Sequence, residues 1–173
     1  MEIDIKEVKN NKENKEYILE VVKKQGKLLE FASEELQDDE EVVIEALKQD
    51  GEALEFASDR LKDKKDIVML AMKSAPWTAF YASERLKADK ELILESVKDY
   101  GQTLYYASKE LRDDDEVVKA AVSNKGLIIK YASYRLRNNK DIAKIAIQGD
   151  KRAYDFLTEE LRNDEEIKNL INW

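Results

Sequence analysis

The chain has 173 residues, with 38 Asp and Glu against 30 Lys and Arg and a net charge of −8, which weighs against a general binder of phosphate backbones, since such a protein needs a positive field. It has neither Cys nor His, which excludes disulfides, thiolate metal sites, Cys nucleophiles and the commonest general base. Charged residues make up 39% of it, with five Gly and one Pro, a composition of helices rather than of sheet.

Residues 1–13, MEIDIKEVKNNKE, have no apolar run of the secretory type. They read as a polar segment, either a cap or partly disordered. No window anywhere approaches 18 apolar residues, so no membrane-spanning helix is expected, and the default compartment is the cytoplasm.

From residue 14 to 163 the chain repeats itself. Ala-Ser recurs at Ala32-Ser33, Ala57-Ser58, Ala82-Ser83, Ala107-Ser108 and Ala132-Ser133, each step being 25 residues. A Leu follows each Ser by three residues, at Leu36, Leu61, Leu86, Leu111 and Leu136. An aromatic precedes each pair, at Phe31, Phe56, Tyr81, Tyr106 and Tyr131. A sixth copy degrades to Phe156-Leu157-Thr158 and keeps Leu161. Such self-similarity at a fixed period is the signature of a repeat architecture.

Each unit splits into two short helices. The first, as in DEEVVIEALKQD from Asp39 to Asp50, sets Val42, Val43, Ala46 and Leu47 on one face. Its start carries what reads as a capping box: Asp38 with Glu41, Asp63 with Asp66, Asp113 with Glu116, Asn138 with Asp141, Asn163 with Glu166. Gly26, Gly51, Gly101 and Gly126 are expected to end it by adopting the left-handed conformation. The third and sixth copies place Pro76 and Lys151 there, and Pro suits the first turn of the next helix. The second helix is expected to run unbroken, as in EALEFASDRL from Glu52 to Leu61, with Ala53, Leu54, Ala57 and Leu61 inward.

Helices this short are marginal alone in water; stacking the units buries what each exposes. The expected fold is all-α: a right-handed αα-solenoid of six 25-residue two-helix repeats over residues 14–163, one domain overall. Residues 164–173, DEEIKNLINW, form a half-repeat. In it Ile167, Leu170, Ile171 and Trp173 cover the last open face, unless this half-unit is a cut edge or a dimer contact.

The stretches EFASEELQDDEEVV, EFASDRLKDKKDIV, YYASKELRDDDEVV and KYASYRLRNNKDIA resemble a bacterial helical-repeat family, domain of unknown function 4116. The resemblance spans residues 14–173 and implies a helical repeat. It supplies no catalytic residues.

The recurrent Ser invites a catalytic reading. A stronger one places Ser33, Ser58, Ser83, Ser108 and Ser133 mid-helix, bonded to the carbonyl one turn back, with no His to activate them. The acid clusters at Asp38-Asp39 and Asp113-Asp114-Asp115 lack the Gly of a calcium loop and read as helix caps. Neighbouring carboxylates such as Glu34-Glu35 and Glu159-Glu160 do not have the spacing of a glycosidase pair. No cofactor and no metal are expected.

What the repeat leaves unexplained is the outward edge of the second helix. It reads Lys27, Glu30, Glu34, Gln37 in the first copy. In the third it becomes Trp77, Phe80, Glu84, Lys87; in the fourth Gln102, Tyr105, Lys109, Arg112; in the fifth Leu127, Lys130, Tyr134, Arg137. Tyr100 precedes the fourth. Exposed aromatics with cations are the composition of interface hot spots. The expected function is a non-enzymatic scaffold for a protein or peptide, contacted by Trp77, Phe80, Tyr100, Tyr105, Lys130 and Tyr134. Two other readings stand beside it: a nucleic-acid-binding repeat, disfavoured by the charge, and an enzyme on a helical frame, for which no constellation converges. A homo-oligomer through the chain ends is also open.

Overall fold

The computed structural model describes residues 3–171. Among them every regular element is a helix, and the fold class is an all-α repeat of the αα-solenoid type. The chain packs as two compact units, residues 1–85 and 86–173. Each is built from the same 25-residue module.

The module opens with an α-helix: Lys15–Val22, Glu40–Gln49 and Lys65–Met72 in the first unit, Lys90–Asp99, Asp115–Asn124 and Lys140–Gly149 in the second. Its inward face is closed to solvent; Val42, Val43, Ala46 and Leu47 are buried, as are Val117, Val118, Ala121 and Val122. The helix is capped one residue later than the capping-box reading. Asp39, Asp89, Asp114, Asn139 and Asp164 are the N-caps, and Asp39 accepts from the Val42 amide at 3.2 Å. Asp38, Asp63, Asp113 and Asn138 are left for another task, described below. Lysines at the helix starts bridge to the next module's cap. Lys15 reaches Asp39 and Glu41 at 2.8 and 2.9 Å, and Lys140 reaches Asp164 and Glu166 at 2.9 and 2.8 Å.

The expected second helix is not continuous. It begins as a 3₁₀ helix: Gly26–Phe31, Gly51–Phe56 and Pro76–Tyr81, then Gly101–Tyr105, Gly126–Tyr131 and Lys151–Phe156. The backbone then turns extended at Ala57 (φ −67°, ψ 155°) and Ser58 (φ −62°, ψ 158°). A one-turn α-helix follows, as at Asp59–Lys62 or Tyr134–Arg137. The reason lies at the Ser. Its hydroxyl accepts from the amide three residues on, Ser58 from Leu61 at 3.2 Å and Ser133 from Leu136 at 3.2 Å. It is therefore an N-cap and not a mid-helix residue. Its own amide leaves the helix altogether and donates to the preceding module: Ser58 to the Gln37 carbonyl at 3.0 Å, Ser133 to Arg112 at 2.9 Å.

The glycines also differ from expectation. No described residue has a positive φ, so Gly does not serve as a left-handed terminator. Gly26, Gly51, Gly101 and Gly126 are buried. A Cβ added to them would overlap the carbonyl oxygen of Ala46, Ala71, Ala121 and Ala146 respectively, one module onward. The Gly51 amide donates to Ser74 Oγ at 3.0 Å and that of Gly101 to Asn124 Oδ1 at 2.9 Å. Close backbone approach, not φ, is what requires glycine here. Pro76 stands at the first position of its 3₁₀ helix, where the fixed φ of Pro fits.

At the chain's ends, Ile5–Asn10 is a helix with Val8 buried. Glu165–Asn169 is the helix of the half-repeat, with Ile167 buried and Leu170 and Ile171 half-buried in the turn after it. Trp173 lies outside the described residues.

Candidate functional site

A 3₁₀ helix has three residues per turn, so side chains at i and i+3 eclipse. Leu28-Leu29, Ala53-Leu54, Thr103-Leu104 and Ile128-Ile129 therefore point inward and are buried. The positions before and after them, 27 and 30 in the first module, form one outward edge. Of the candidates, Trp77, Phe80, Tyr105 and Lys130 stand on this edge, Tyr100 precedes its 3₁₀ helix, and Tyr134 opens a one-turn α-helix. Trp77 is 37% exposed, Tyr105 52% and Tyr134 66%. Phe80, Tyr100 and Lys130 are half-buried.

In three modules the Asp that precedes the helix N-cap is clasped by the Ser and Arg of the next module. Asp38 accepts from the Ser58 hydroxyl and from Arg60 Nε at 2.9 Å; Asp63 accepts from Ser83 and from Arg85 Nε at 3.0 Å. Asp113 repeats the clasp with Ser133 and with Arg135 Nε at 3.0 Å. The Ser hydroxyl and then the Arg guanidinium hold the Asp38 and Asp63 carboxyls below the usual range, and the Ser133 hydroxyl does the same at Asp113. In the last pair the polarity reverses, with Thr158 bonding Asn138 and Asn138 Nδ2 donating to Glu160 at 3.0 Å. Between them the fourth module has Ala88 and Glu110 at these two places, and its turn after Ser108 is 3₁₀ rather than α, Leu111–Asp113. Asp38, Asp63 and Asp113 are each matched by an Arg, and where Ala88 or Asn138 replaces the Asp, Glu110 or Glu160 replaces the Arg.

In the first unit, Trp77 Nε1 donates to Glu52 Oε1 at 3.2 Å, and Glu52 also pairs with Lys27. Lys27, and to a lesser degree the Trp77 indole, holds the Glu52 carboxyl low. The Phe80 ring lies against that of its neighbour Tyr81, centroids 3.8 Å apart and planes tilted by 38°.

In the second unit the candidates meet the recurrent aromatics that precede Ala, Tyr106 and Tyr131. The Tyr105 ring lies 4.8 Å from Tyr131 at 56° and 4.8 Å from Tyr106 edge-on at 79°. Lys130 Nζ sits 4.7 Å over the Tyr131 ring and 6.0 Å from that of Phe156. Tyr134 shares an open groove with Lys109, Arg112, Tyr131, Ala132 and Ser133. The recurrent aromatic before Ala is thus not core. Tyr106 is 39% exposed and Tyr131 half-buried. The ring ends a 3₁₀ turn just before the extended Ala-Ser pair, a break that the sequence reading of an unbroken helix hid.

Among the described residues no group of three or more Asp, Glu, His or Cys is placed to hold a metal ion, and no helix is long and apolar enough to cross a membrane. The family model described as a domain of unknown function, DUF4116, matches residues 14–62, 64–112 and 114–162. Its 49-residue span takes in two of the 25-residue modules, so three tandem copies account for six. No curated protein and no solved structure matches the chain.

Proposed function

The chain belongs to the family described as domain of unknown function DUF4116, and within it we propose that this protein is a non-enzymatic scaffold, bacterial and cytoplasmic, that binds a protein or peptide through the outward faces of the second-helix segments, with contacts in each of its two units. The observation that carries the reading is the exposure of Trp77, Tyr105 and Tyr134, 37 to 66%, at positions where the outer modules carry charged side chains. Large aromatics held on a rigid frame supply contact area at small entropic cost and anchor interfaces. Trp77, Phe80, Tyr100, Tyr105, Lys130 and Tyr134 are the proposed contacts. The modules themselves are held by buried Ala and Leu and by Ser caps, so the edge is free to vary without cost to the fold.

Selection from a random displayed-peptide library by the intact chain tests this. Two variants divide the edge: Trp77→Ser with Phe80→Ser, and Tyr105→Ser with Tyr134→Ser. The expected result is a cooperative helical melt in both and loss of the selected peptides in at least one. Retention of the same peptides by both variants at unchanged affinity removes the edge as the binding surface.

A further inference from the structure

The protein is acidic, yet its acids are not evenly spread. Residues 117–140 contain no Asp or Glu and six Lys and Arg: Lys119, Lys125, Lys130, Arg135, Arg137 and Lys140. Two of these are spoken for, Arg135 by Asp113 and Asp115 and Lys140 by Asp164 and Glu166. Lys109, Arg112, Lys130 and Arg137 form no ion pair among the described residues, and the Nε atoms of Arg112 and Arg137 are buried without a hydrogen-bond partner. The groove between Tyr131 and Tyr134 is bordered by the first two of these cations, Lys109 and Arg112.

Its acid neighbours are engaged. Asp113 is taken up by Ser133 and Arg135, and Glu110 is held low by its own amide and by Ser108. The same four positions elsewhere read Glu34, Gln37, Phe56, Asp59 and Asp59, Lys62, Tyr81, Glu84 in the first unit, and Tyr134, Arg137, Phe156, Glu159 in the second. Each of those sets contains a carboxylate. Only the set Lys109, Arg112, Tyr131, Tyr134 has two cations, two phenol rings and no acid.

We infer that this groove is an acidic-peptide subsite: it takes an Asp or Glu side chain of an extended partner segment between Lys109 and Arg112, with the partner's flanking apolar groups on Tyr131 and Tyr134. The inference rests on the proposed scaffold function and names the chemistry of the partner. Uncommitted cations in a chain of net charge −8 favour a short acidic segment over a long polyanion, which the surrounding acids repel. A ring beside a carboxylate site adds contact area that a charge alone lacks.

Fluorescence anisotropy of the intact chain tests it with four fluorescein-labelled probes: a decapeptide alternating Glu and Leu, its Gln and Lys counterparts, and decauridine. The expected result is binding of the Glu peptide alone, weakened as salt rises. Two variants then install what the other modules already carry at these places, Lys109→Glu and Tyr134→Glu, so each is compatible with the repeat. Lys109→Glu removes a charge-assisted contact and Tyr134→Glu sets a like charge beside the peptide's carboxylates, and each should weaken the Glu peptide by about tenfold, roughly 1.4 kcal/mol. Equal binding of the Gln peptide, preference for decauridine, or indifference to both variants overturns the inference. Library peptides that depend on Tyr105 but show no acidic enrichment would sink this subsite and leave the scaffold standing; a library that yields no ligand removes both.

Discussion

Residues 1–85 and 86–173 are made of the same module and differ in what they show to solvent. The first unit carries 21 Asp and Glu against 14 Lys and Arg, the second 17 against 16. Ion pairs hold both: Arg60 with Asp38 and Lys64 with Glu40 in the first, Arg135 with Asp113 and Lys140 with Asp164 in the second. The difference lies on the edge, where Gln102 and Leu127 stand at the places of the paired Lys27 and Glu52, and Tyr105 and Tyr134 at those of Glu30 and Glu34. The positions that hold the modules together do not differ: Ala57 and Ala132, Leu61 and Leu136, Gly51 and Gly126 are buried in both. The comparison separates two classes of residue. One class is fixed by contact with the next module. The other is free of that constraint, and it is there that the two units diverge.

If that division is right, substitutions in the fixed class should be costly wherever they are made. Leu61→Ala in the first unit and Leu136→Ala in the second should each cost about 2–5 kcal/mol, read by chemical denaturation. A value under about 1 kcal/mol at either place would mean that module is not held by its core. Gly51→Val and Gly126→Val drive a side chain into a backbone carbonyl and should cost about 1–3 kcal/mol. Lys151→Val, at the same register but exposed, should stay within about 0.5 kcal/mol.

The Ser caps sharpen the comparison inside the fixed class. Ser58→Ala removes both an N-cap and the hydroxyl held by Asp38, and should cost about 1–2 kcal/mol. Ser108→Ala removes a cap whose module has Ala88 in place of that Asp, and should cost less, about 0.5 kcal/mol. Equal losses would show that the clasp adds nothing to the cap.

The clasp also sets a pH dependence. Asp38, Asp63 and Asp113 have folded pKa values below the ordinary carboxylate value of 3.8. Their contribution is therefore fully present above that value and is lost as pH falls through the depressed folded values. The melting temperature should hold from pH 7 to about 5 and decline below pH 4, and the decline should shrink in a chain carrying Asp38→Asn and Asp63→Asn. An unchanged decline would assign acid sensitivity to other carboxylates.

The period, the helical class and the buried Ala and Leu positions are legible in the sequence because each is a local pattern that recurs at 25-residue steps. The edge candidates were also legible, since a spacing of three puts residues 77 and 80, or 102 and 105, on one side of either kind of helix. What was not legible depended on partners in another module. Ser58 reads as mid-helix until its amide is seen to bond Gln37, 21 residues back. Gly51 reads as a left-handed terminator until the Ala71 carbonyl is seen against it. Asp38 reads as the N-cap because it and Asp39 are adjacent acids, and only the Ser58–Arg60 clasp shows which of the two caps. Tyr131 stands in a register that is aromatic in every module, and only its place at the end of a 3₁₀ turn shows that it is half-open to solvent.

The free class should respond in the opposite way, with stability unmoved and recognition lost. The most direct measurement is a paired melt and peptide titration of the intact chain and of Tyr134→Glu, the substitution that writes into the fifth module what Glu84 and Glu159 are in others. The account predicts a melting midpoint unchanged within about 0.5 kcal/mol of stability and an acidic-peptide affinity about tenfold weaker. A destabilised chain, or an affinity that does not move, would contradict it.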